Sequence, residues 1–360
     1  MKKIKTELLE YSLPADLYAR TPVDENGKSR DHGRMAVAYK DKPNFDDSKV
    51  TDITNFLEKG DLLVLNNSLT IPPIFEVFSK KQGYFNIHLN EYEGKQKWLC
   101  TVELLKEDLN EVLNNKKRLS TDDKKIEVKL EKHDSKIFVS FNTNLESVYK
   151  FLIKYGTPVQ SAYVKKNYSL KEYQNDIGKV YGSLENPAAN RHFTPALLKK
   201  LEEKGALIAF VTLHCGSETA YIKSDNVYDH KVQKEYFEIP HKTASLISKV
   251  KQNGHRVFAI GTTSARTLES VKYDDNYNII SDLSGFTDLA IYPGHNFKIL
   301  DGILTNFHGS RSSRLALAAA FVGVEKIMRL YNFAIEHKYH FYEFGDACFL
   351  IINSHMKGDE

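Results

Sequence analysis

The stretch TPALLKKLEEKGALIAFVTL, residues 194–213, holds a helix pattern and a strand pattern in direct succession. Its first part carries apolar residues at helical spacing and ends at Gly205, and glycine is the residue that most often follows a helix end. The run ALIAFVTL that comes next is short, unbroken and apolar, as in a strand that is buried on both faces. The stretch therefore predicts one helix-then-strand unit of an α/β sheet.

The same unit recurs further along the chain. TASLISKVKQNG, residues 243–254, predicts a helix that ends at a glycine, and HRVFAI, residues 255–260, predicts the strand after it. SARTLESV, residues 264–271, is typical of the next helix. Repeated units of this kind indicate the α/β fold class, with a main α/β domain built on a mainly parallel sheet.

The character of the sequence changes near residue 75. Short alternating runs follow one another up to residue 142, namely YFNIHLNEY, KWLCTVELL, IEVKLEKH and KIFVSFN, with turn-like EGK and HDSK among the stretches between them. Alternation of this kind predicts antiparallel hairpins that form a small sheet or barrel. We therefore expect a discontinuous main domain, residues 1–74 and 146–360, with a small antiparallel β-barrel domain, residues 75–145, inserted into it.

The composition is typical of a soluble globular protein. The chain has 360 residues, of which 41% are hydrophobic and 27% charged, and its net charge is only +3. The chain therefore lacks a global basic field, although a local patch is enough to bind nucleic acid. Short basic runs are more often solvated faces than binding sites. They lie at Lys116, Lys117 and Arg118, at Lys124 and Lys125, and at Lys165 and Lys166.

The cysteines and the termini favour a reduced, cytoplasmic protein. Cys100, Cys215 and Cys348 are far apart and show no paired spacing, which argues against a disulfide framework or a zinc knuckle. The basic start MKKIKTELLEYSLP has no apolar segment of the kind that signal peptides carry. No apolar run is long enough to span a bilayer, so we expect no membrane partner.

Polar loops follow three of the predicted strands. HCGSE follows ALIAFVTL, GTTSAR follows HRVFAI, and TNFHGSRSS follows ILDGIL. Ligands of open α/β sheets bind at the carboxyl ends of the strands. The three loops are therefore expected to converge on one cleft.

Two of these loops open helices, where free backbone N–H groups favour anions. Gly261, Thr262 and Thr263 suit a carboxylate or a phosphate, although a hydroxyl cap on the helix is an equally good explanation. TNFHGSRSSRL, residues 305–315, precedes an apolar helix and is either a capped surface turn or an anion-binding loop. Its Arg311 and Arg314 oppose the helix dipole unless an anion offsets them.

Three histidines lie beside turns of the strand–helix units: His192, His214 and His308. Imidazoles serve as acids, bases, polar contacts or metal ligands. The spacings H-x-H and H-E-x-x-H are absent, so no metal is predicted. The carboxylates Glu218, Glu235 and Asp346 are candidates for proton transfer, and each is also compatible with an ordinary capping or surface role.

Ten segments follow one another in a specific order: YSLPADLYAR, RDHGRMAV, FLEKGDLLVLNNSLTIP, KYGTPV, VTLHCGSET, EYFEI, AIGTTSARTLES, YPGHNF, DGILTNFH and FGDA. Together they resemble one family, the S-adenosylmethionine:tRNA ribosyltransferase-isomerases of queuosine biosynthesis. The resemblance covers nearly the whole chain. It implies an α/β main domain with an inserted β-barrel, in agreement with the change of character near residue 75.

The resemblance also implies a reaction. The ribosyl part of S-adenosylmethionine moves to the aminomethyl group of a deazaguanine base in the tRNA anticodon and rearranges to epoxyqueuosine, with release of adenine and methionine. S-adenosylmethionine is then a co-substrate, no metal is needed, and tRNA is the partner. We expect a monomer, although no sequence pattern determines the oligomeric state. The residues assigned to catalysis are His192, His214, His308 and Glu235. Those assigned to S-adenosylmethionine are Gly261, Thr262, Thr263, Arg266, Asn306 and Ser312. Those assigned to the acceptor are Arg30, Arg34, Asn66, Arg311, Arg314 and Asp346.

This chain departs from the family pattern in the predicted ligand loops. Leu69 and Ile74 stand where the family has arginines, which removes charges suited to phosphate or carboxylate. Other departures are Asn186, Asn190, Arg191, Glu218, Thr219, Ala220, Gln233, Arg311, Arg314 and the segment HFYEFGDA, residues 340–347. Three functions remain open: the queuosine enzyme in a divergent branch, a paralogue that uses S-adenosylmethionine on another acceptor such as a small molecule, and a non-catalytic protein that binds nucleoside or RNA.

Overall fold

The computed structural model describes residues 3–115, 118–121, 125–161, 163–164, 166–217 and 220–353. Several residues named above lie outside this part of the chain, namely Lys116, Lys117, Lys124, Lys165, Glu218 and Thr219. The strands are β1 (Arg34–Tyr39), β2 (Phe45–Lys49), β3 (Leu62–Asn66), β4 (Ser68–Thr70), β5 (Ile74–Ser79), β6 (Gly83–Gly94), β7 (Lys97–Val102), β8 (Leu119–Thr121), β9 (Glu127–His133), β10 (Lys136–Phe141), β11 (Val180–Ser183), β12 (Leu207–Leu213), β13 (Glu235–Glu238), β14 (Val257–Ile260), β15 (Ser284–Thr287), β16 (Gly302–Asn306) and β17 (Ala347–Ile351). The α-helices are α1 (Lys106–Asn115), α2 (Leu145–Tyr155), α3 (Leu170–Tyr173), α4 (Pro195–Glu203), α5 (His241–Gln252), α6 (Gly261–Glu269), α7 (Ser313–Val322) and α8 (Val324–Glu336).

The main sheet has nine strands in the described part of the chain, in the order β15-β13-β12-β3-β14-β16-β17-β1-β2. Four neighbouring strands of the sheet, β12, β3, β14 and β16, run parallel to one another, as the helix-then-strand pattern predicts. β17 is also parallel to β1. The other neighbouring pairs are antiparallel. The sheet is therefore mixed, because strands joined by short connections, such as β1 and β2, return beside each other in opposite directions.

The opening stretch folds as its pattern predicts. Thr194 caps α4 by accepting a hydrogen bond from the backbone N–H of Leu197 at 3.2 Å. The helix ends just before Gly205, whose φ of +91° lies in the left-handed region that favours glycine. β12 then enters the sheet beside β3. One apolar core lies between the sheet and α5 to α8, and a second lies on the opposite face, against α4.

The inserted region forms the predicted barrel. Six strands, β5 to β10, close on one another in the order β10-β7-β6-β5-β8-β9. Trp98 is 1% exposed in the core of the barrel, where Phe141 packs edge-on against its ring and Phe75 packs against Phe141. Phe151 of α2 packs edge-on against Phe75, so this helix shares the core of the barrel. The exact limits of the inserted domain, 75–145, stay a prediction.

The cysteines are free thiols and lie buried. In the residues that the structure describes, no helix has the length and apolar content needed to cross a membrane.

Candidate functional site

Two adjoining cavities open at the carboxyl ends of the parallel strands. The Arg266 cavity has a volume of about 480 Å³, and its walls include Lys223, Lys231, Gln233, Glu235, Arg266 and Tyr292. The His308 cavity has a volume of about 370 Å³, and its walls include Thr70, Tyr173, Glu185, Asn306, His308 and Glu343. Thr262, Thr263 and Arg314 line both cavities and form the seam between them. Polar loops that follow β12, β14 and β16 therefore converge, as the sequence predicts.

The start of α6 forms part of this seam. Gly261 has a φ of +83°, and a Cβ at this position would lie 3.3 Å from the Cβ of Ala189. Ile260 precedes the helix and supplies no side-chain cap, so the alternative of a Ser/Thr cap is not realised here. The first N–H groups of α6 lack a capping side chain, while Thr262 and Thr263 line the cleft. An uncapped helix start favours a carboxylate or phosphate ligand.

Arg266 is held mainly by protein acceptors. Its guanidinium forms an ion pair with Glu235 and donates to the carbonyls of Leu289 at 2.9 Å and Gln233 at 3.1 Å. Glu235 in turn accepts from the backbone N–H of Gly216 at 2.8 Å. Both side chains are largely buried and line the Arg266 cavity. The pair shapes this wall by joining α6 to β13.

The two cavities differ in charge. Four cationic side chains line the Arg266 cavity, against the two carboxylates Asp229 and Glu235. Those cations are Lys223, Lys231, Arg266 and Arg314. In the His308 cavity, among the described residues, two carboxylates, Glu185 and Glu343, face one cationic side chain, Arg314. The first cavity suits anionic groups, and the second suits groups that donate hydrogen bonds.

His308 is a neutral imidazole in the cleft. Its Nε2 lies 2.9 Å from the Oγ1 of Thr305, and its backbone N–H donates to the hydroxyl of Tyr331 at 2.9 Å. Burial lowers the pKa of His308 to about 3, and the nearby Arg314 acts in the same direction. The ring therefore contributes hydrogen bonds without charge near pH 7.

The loop before α7 combines a cap with a cleft residue. Ser312 caps the helix by accepting from the N–H of Leu315 at 3.1 Å, as the capped-turn explanation predicts. Arg311 lies outside both cavities, with its backbone N–H bonded to the carbonyl of Leu9 at 2.9 Å. Arg314 donates to the carboxylate of Glu185 at 2.7 Å. A protein carboxylate is thus the ionic partner of Arg314.

Three predicted residues lie behind the cleft. The Nδ1 of His214 is 2.8 Å from the Oγ of Ser68, and burial lowers the pKa of His214 to about 4. Burial also lowers the pKa of His192 to about 4, and His192 lines a small third cavity. Asn66 donates to the carbonyl of Leu213 at 2.9 Å and so joins β3 to β12. In the described part of the chain, no group of three or more His, Cys, Asp or Glu side chains is arranged to hold a metal ion.

Besides Asn66 and Arg311, three further residues assigned to the acceptor lie outside both cavities. Arg30 donates to Asp24 at 2.7 Å and to the carbonyl of Gln174 at 2.7 Å. Arg34 pairs with Asp47 at 2.6 Å. Asp346 accepts from the backbone N–H groups of Arg34 at 2.8 Å and His340 at 2.7 Å. The bond from Arg34 to Asp346 joins the start of β1 to the start of β17.

The sequence reasoning missed several residues of the cleft. Glu343 lines the His308 cavity, and burial raises its pKa to about 7, with repulsion from Glu185 as the second cause. Tyr163 and Tyr342 line the same cavity, with stacked rings whose centroids are 4.8 Å apart. Tyr342 and Glu343 lie in HFYEFGDA, which departs from the family pattern and is the sequence signal that points to them, whereas Tyr163 lies in none of the segments quoted above.

The fold and the cleft define an α/β protein with an inserted β-barrel and two adjoining cavities, the first of which carries more cationic side chains than the second. A sequence model described as queuosine biosynthesis protein matches residues 6–350, and the chain belongs to that family. A solved structure of similar fold is an S-adenosylmethionine tRNA ribosyltransferase from Thermotoga maritima, which is 27% identical. The match covers 96% of this chain and 100% of that chain, with a TM-score of 0.53. The family resemblance predicted from the sequence is confirmed.

Proposed function

We propose that the protein transfers the ribosyl moiety of S-adenosylmethionine to a 7-deazaguanine base in tRNA and isomerises it to epoxyqueuosine, with release of adenine and methionine. The observation that carries this proposal is the junction of two cavities at the start of α6, one rich in cationic side chains and one in hydrogen-bond acceptors. A reaction between two substrates needs two sites that meet where the transferred group lies. Family membership and the similarity to a tRNA ribosyltransferase support the same function.

The Arg266 cavity suits S-adenosylmethionine. The carboxylate of the methionine part requires donors, and Lys223, Lys231 and the free N–H groups at the start of α6 supply them. The ribose would then lie against Thr262 and Thr263 at the seam. From there the transferred group can face a base held in the His308 cavity.

Two of the proposed catalytic side chains reach the cleft, one in each cavity. The sulfonium of the donor acidifies the neighbouring ribose carbon, so the reaction requires a proton acceptor and hydrogen bonds to the departing adenine. His308 supplies an uncharged imidazole, and Glu235 supplies a carboxylate that Arg266 and Gly216 orient. In this arrangement His192 and His214 act from behind the wall as positioning residues.

The test is adenine release from S-adenosylmethionine, measured with tRNA that carries the aminomethyl-deazaguanine base and with unmodified tRNA. Release that depends on the modified base is the expected result. Absence of release, with S-adenosylmethionine binding intact, would contradict this function.

A second candidate function is transfer from the same donor to another acceptor, including a small molecule. The observation that favours it is the carboxylate pair Glu185 and Glu343 in the His308 cavity, together with Leu69 and Ile74 in place of cationic residues. Adenine release that requires a different amine and does not depend on modified tRNA would establish this alternative.

A further inference from the structure

The ring of His308 folds back onto the strand that precedes it. Thr305, the next-to-last residue of β16, places its Oγ1 2.9 Å from the Nε2 of His308. Thr305 belongs to the cavity wall but is only 1% exposed, and within the described residues its hydroxyl has no other hydrogen-bond partner. The second ring nitrogen, Nδ1, has no partner in the described part of the chain and is not sealed from solvent, so a ligand in the cavity can reach it.

Two tyrosines hold the backbone of His308 in place. The N–H of His308 donates to the hydroxyl of Tyr331 at 2.9 Å, and its carbonyl accepts from the hydroxyl of Tyr11. The rings of Tyr11 and Tyr331 pack edge-on, with centroids 5.2 Å apart, and Tyr331 is fully buried. With the backbone fixed on both sides, the bond to Thr305 is the contact that orients the imidazole.

The hydrogen-bond pattern distinguishes the two tautomers of the neutral ring, which has one N–H and one lone pair. If Nε2 carried the proton, it would donate to Thr305, and the buried hydroxyl would have no acceptor for its own proton among the described residues. If Nδ1 carries the proton, Thr305 donates to Nε2 and the Nδ1–H faces the cavity, so both donors can be paired. An unpaired buried donor is costly, which favours the second tautomer by about 5-fold or more.

We propose that Thr305 is a positioning residue that donates to the Nε2 of His308 and thereby fixes the tautomer whose Nδ1–H donates into the cleft. His308 then acts as a neutral hydrogen-bond donor. In the proposed reaction the bond between adenine and the ribosyl carbon breaks, and the electron pair goes to a ring nitrogen of adenine, where a fixed donor stabilises the developing charge. This role rests on the proposed function, and it leaves the carboxylate of Glu235 to accept the proton from the ribose carbon.

The first experiment determines the tautomer. Long-range ¹H–¹⁵N NMR spectra of the full chain, labelled with ¹⁵N-histidine, distinguish Nδ1 from Nε2, and the spectrum of His308→Ala assigns the signals. Because the pKa of His308 is about 3, we expect a protonated Nδ1 and a hydrogen-bonded Nε2 throughout pH 5 to 8. Thr305→Val removes only the hydroxyl and should move the Nε2 signal to that of a lone pair without a hydrogen bond, and Thr305→Ser should restore it. A protonated Nε2 in the wild type would overturn the proposal.

The second experiment tests the donor in turnover, as adenine release with the modified tRNA. An asparagine amide offers an N–H near the position of Nδ1 but cannot accept a proton at neutral pH. The loss of one such donor costs about 10²- to 10³-fold in kcat, so His308→Asn should keep a kcat at least about 10-fold above that of His308→Ala. Thr305→Val should lower kcat by about 10-fold or more with little change in KM for S-adenosylmethionine, and Thr305→Ser should restore it. Equal kcat in folded His308→Asn and His308→Ala would overturn the donor role.

The matched control is Thr243→Val. Thr243 is 5% exposed on α5, where its hydroxyl donates to the carbonyl of Phe210 at 2.8 Å, so this variant loses a buried threonine hydrogen bond away from the cleft. It should keep the kcat of the wild type and its His308 signals, and thermal melts report the folding of each variant. If Thr305→Val does not fold, the wild-type tautomer and the His308→Asn variant still decide the question.

The two proposals can fail separately. Adenine release that depends on modified tRNA, together with a protonated Nε2, would leave the proposed function standing and remove this inference. A protonated Nδ1 that depends on Thr305, without any adenine release by the wild type, would support the tautomer assignment and remove the proposed reaction together with the role of His308 in it.

Discussion

Arg314, in the first turn of α7, donates to the carboxylate of Glu185, which follows β11, at 2.7 Å. The ion pair joins two elements that are distant in sequence at the point where the cavities meet. Both residues act on the protonation of Glu343, in opposite directions. Burial is the main cause of the raised pKa of Glu343, repulsion from Glu185 raises it further, and attraction by Arg314 lowers it.

This relationship predicts two opposite shifts. Glu185→Gln should lower the pKa of Glu343, because a neighbouring negative charge is removed, whereas Arg314→Gln should raise it further. Carboxyl-carbon NMR titration of the two variants measures both effects, with the Glu343→Gln spectrum as the assignment control. Shifts of the same sign in both variants would contradict the geometry.

The ionisation of Glu343 should also make the free energy of unfolding depend on pH. Its folded-state pKa is raised to about 7, mainly by burial, so the folded protein binds a proton that the unfolded chain has already lost above its ordinary pKa of about 4.5. The contribution of this side chain to stability is therefore present below pH 4.5 and is lost as the pH rises to about 7. The charged neighbours that modulate the pKa of Glu343 are Glu185, Arg191 and Arg314.

Glu343→Gln should accordingly be more stable than the wild type at pH 8, by about 3 kcal/mol, and should show no such gain at pH 4.5. Urea unfolding at the two pH values measures the difference. Glu202→Gln, exposed on α4, should follow the wild type at both. A gain for Glu343→Gln that is equal at both pH values would exclude ionisation as its cause.

Replacing His308 should lower turnover, and ionisation of His308 should not appear in the pH dependence of turnover. His308→Ala removes a neutral imidazole from the cleft and should lower kcat for adenine release by about 10²- to 10⁴-fold, if it takes part in proton transfer. Because the pKa of His308 is about 3, the wild-type profile should show no ionisation of this ring between pH 5 and 8.

The matched control is His133→Ala, at an exposed position of the barrel, which should keep wild-type kcat. Unchanged kcat in folded His308→Ala would remove this residue from the catalytic group.

Breaking the ion pair between Arg266 and Glu235 should lower the free energy of unfolding. Arg266→Met leaves Glu235 buried without its ionic partner, which should lower the free energy of unfolding by about 3–5 kcal/mol. The double variant Arg266→Met, Glu235→Gln should recover part of that loss, because the uncompensated charge is gone. Urea unfolding at pH 7 measures both.

Lys199→Ala serves as the control, since it breaks an exposed ion pair with Glu203 and should cost less than about 1 kcal/mol. A double variant that is less stable than Arg266→Met would mean that the buried charge is not the source of the loss.

The local patterns of the chain predicted its elements well. The helix and strand expected in residues 194–213 are α4 and β12, and the alternating runs after residue 75 close into the barrel. The antiparallel sheet edges were not predicted, because a strand's direction depends on where its connection returns. The cleft position of Thr262 and His308 was predicted, since loops at strand ends meet by the rule of parallel sheets.

The sequence by itself determined the family, the α/β class, the inserted barrel and the loops that carry the chemistry, because these depend on periodicity and on motifs contiguous in the chain. Only the tertiary structure decided which polar groups share a cavity. Glu185 and Glu343 meet there although 158 residues separate them, while His214 turns toward Ser68 behind the wall. Side-chain direction, burial and long-range pairing arise from packing, and no local pattern encodes them.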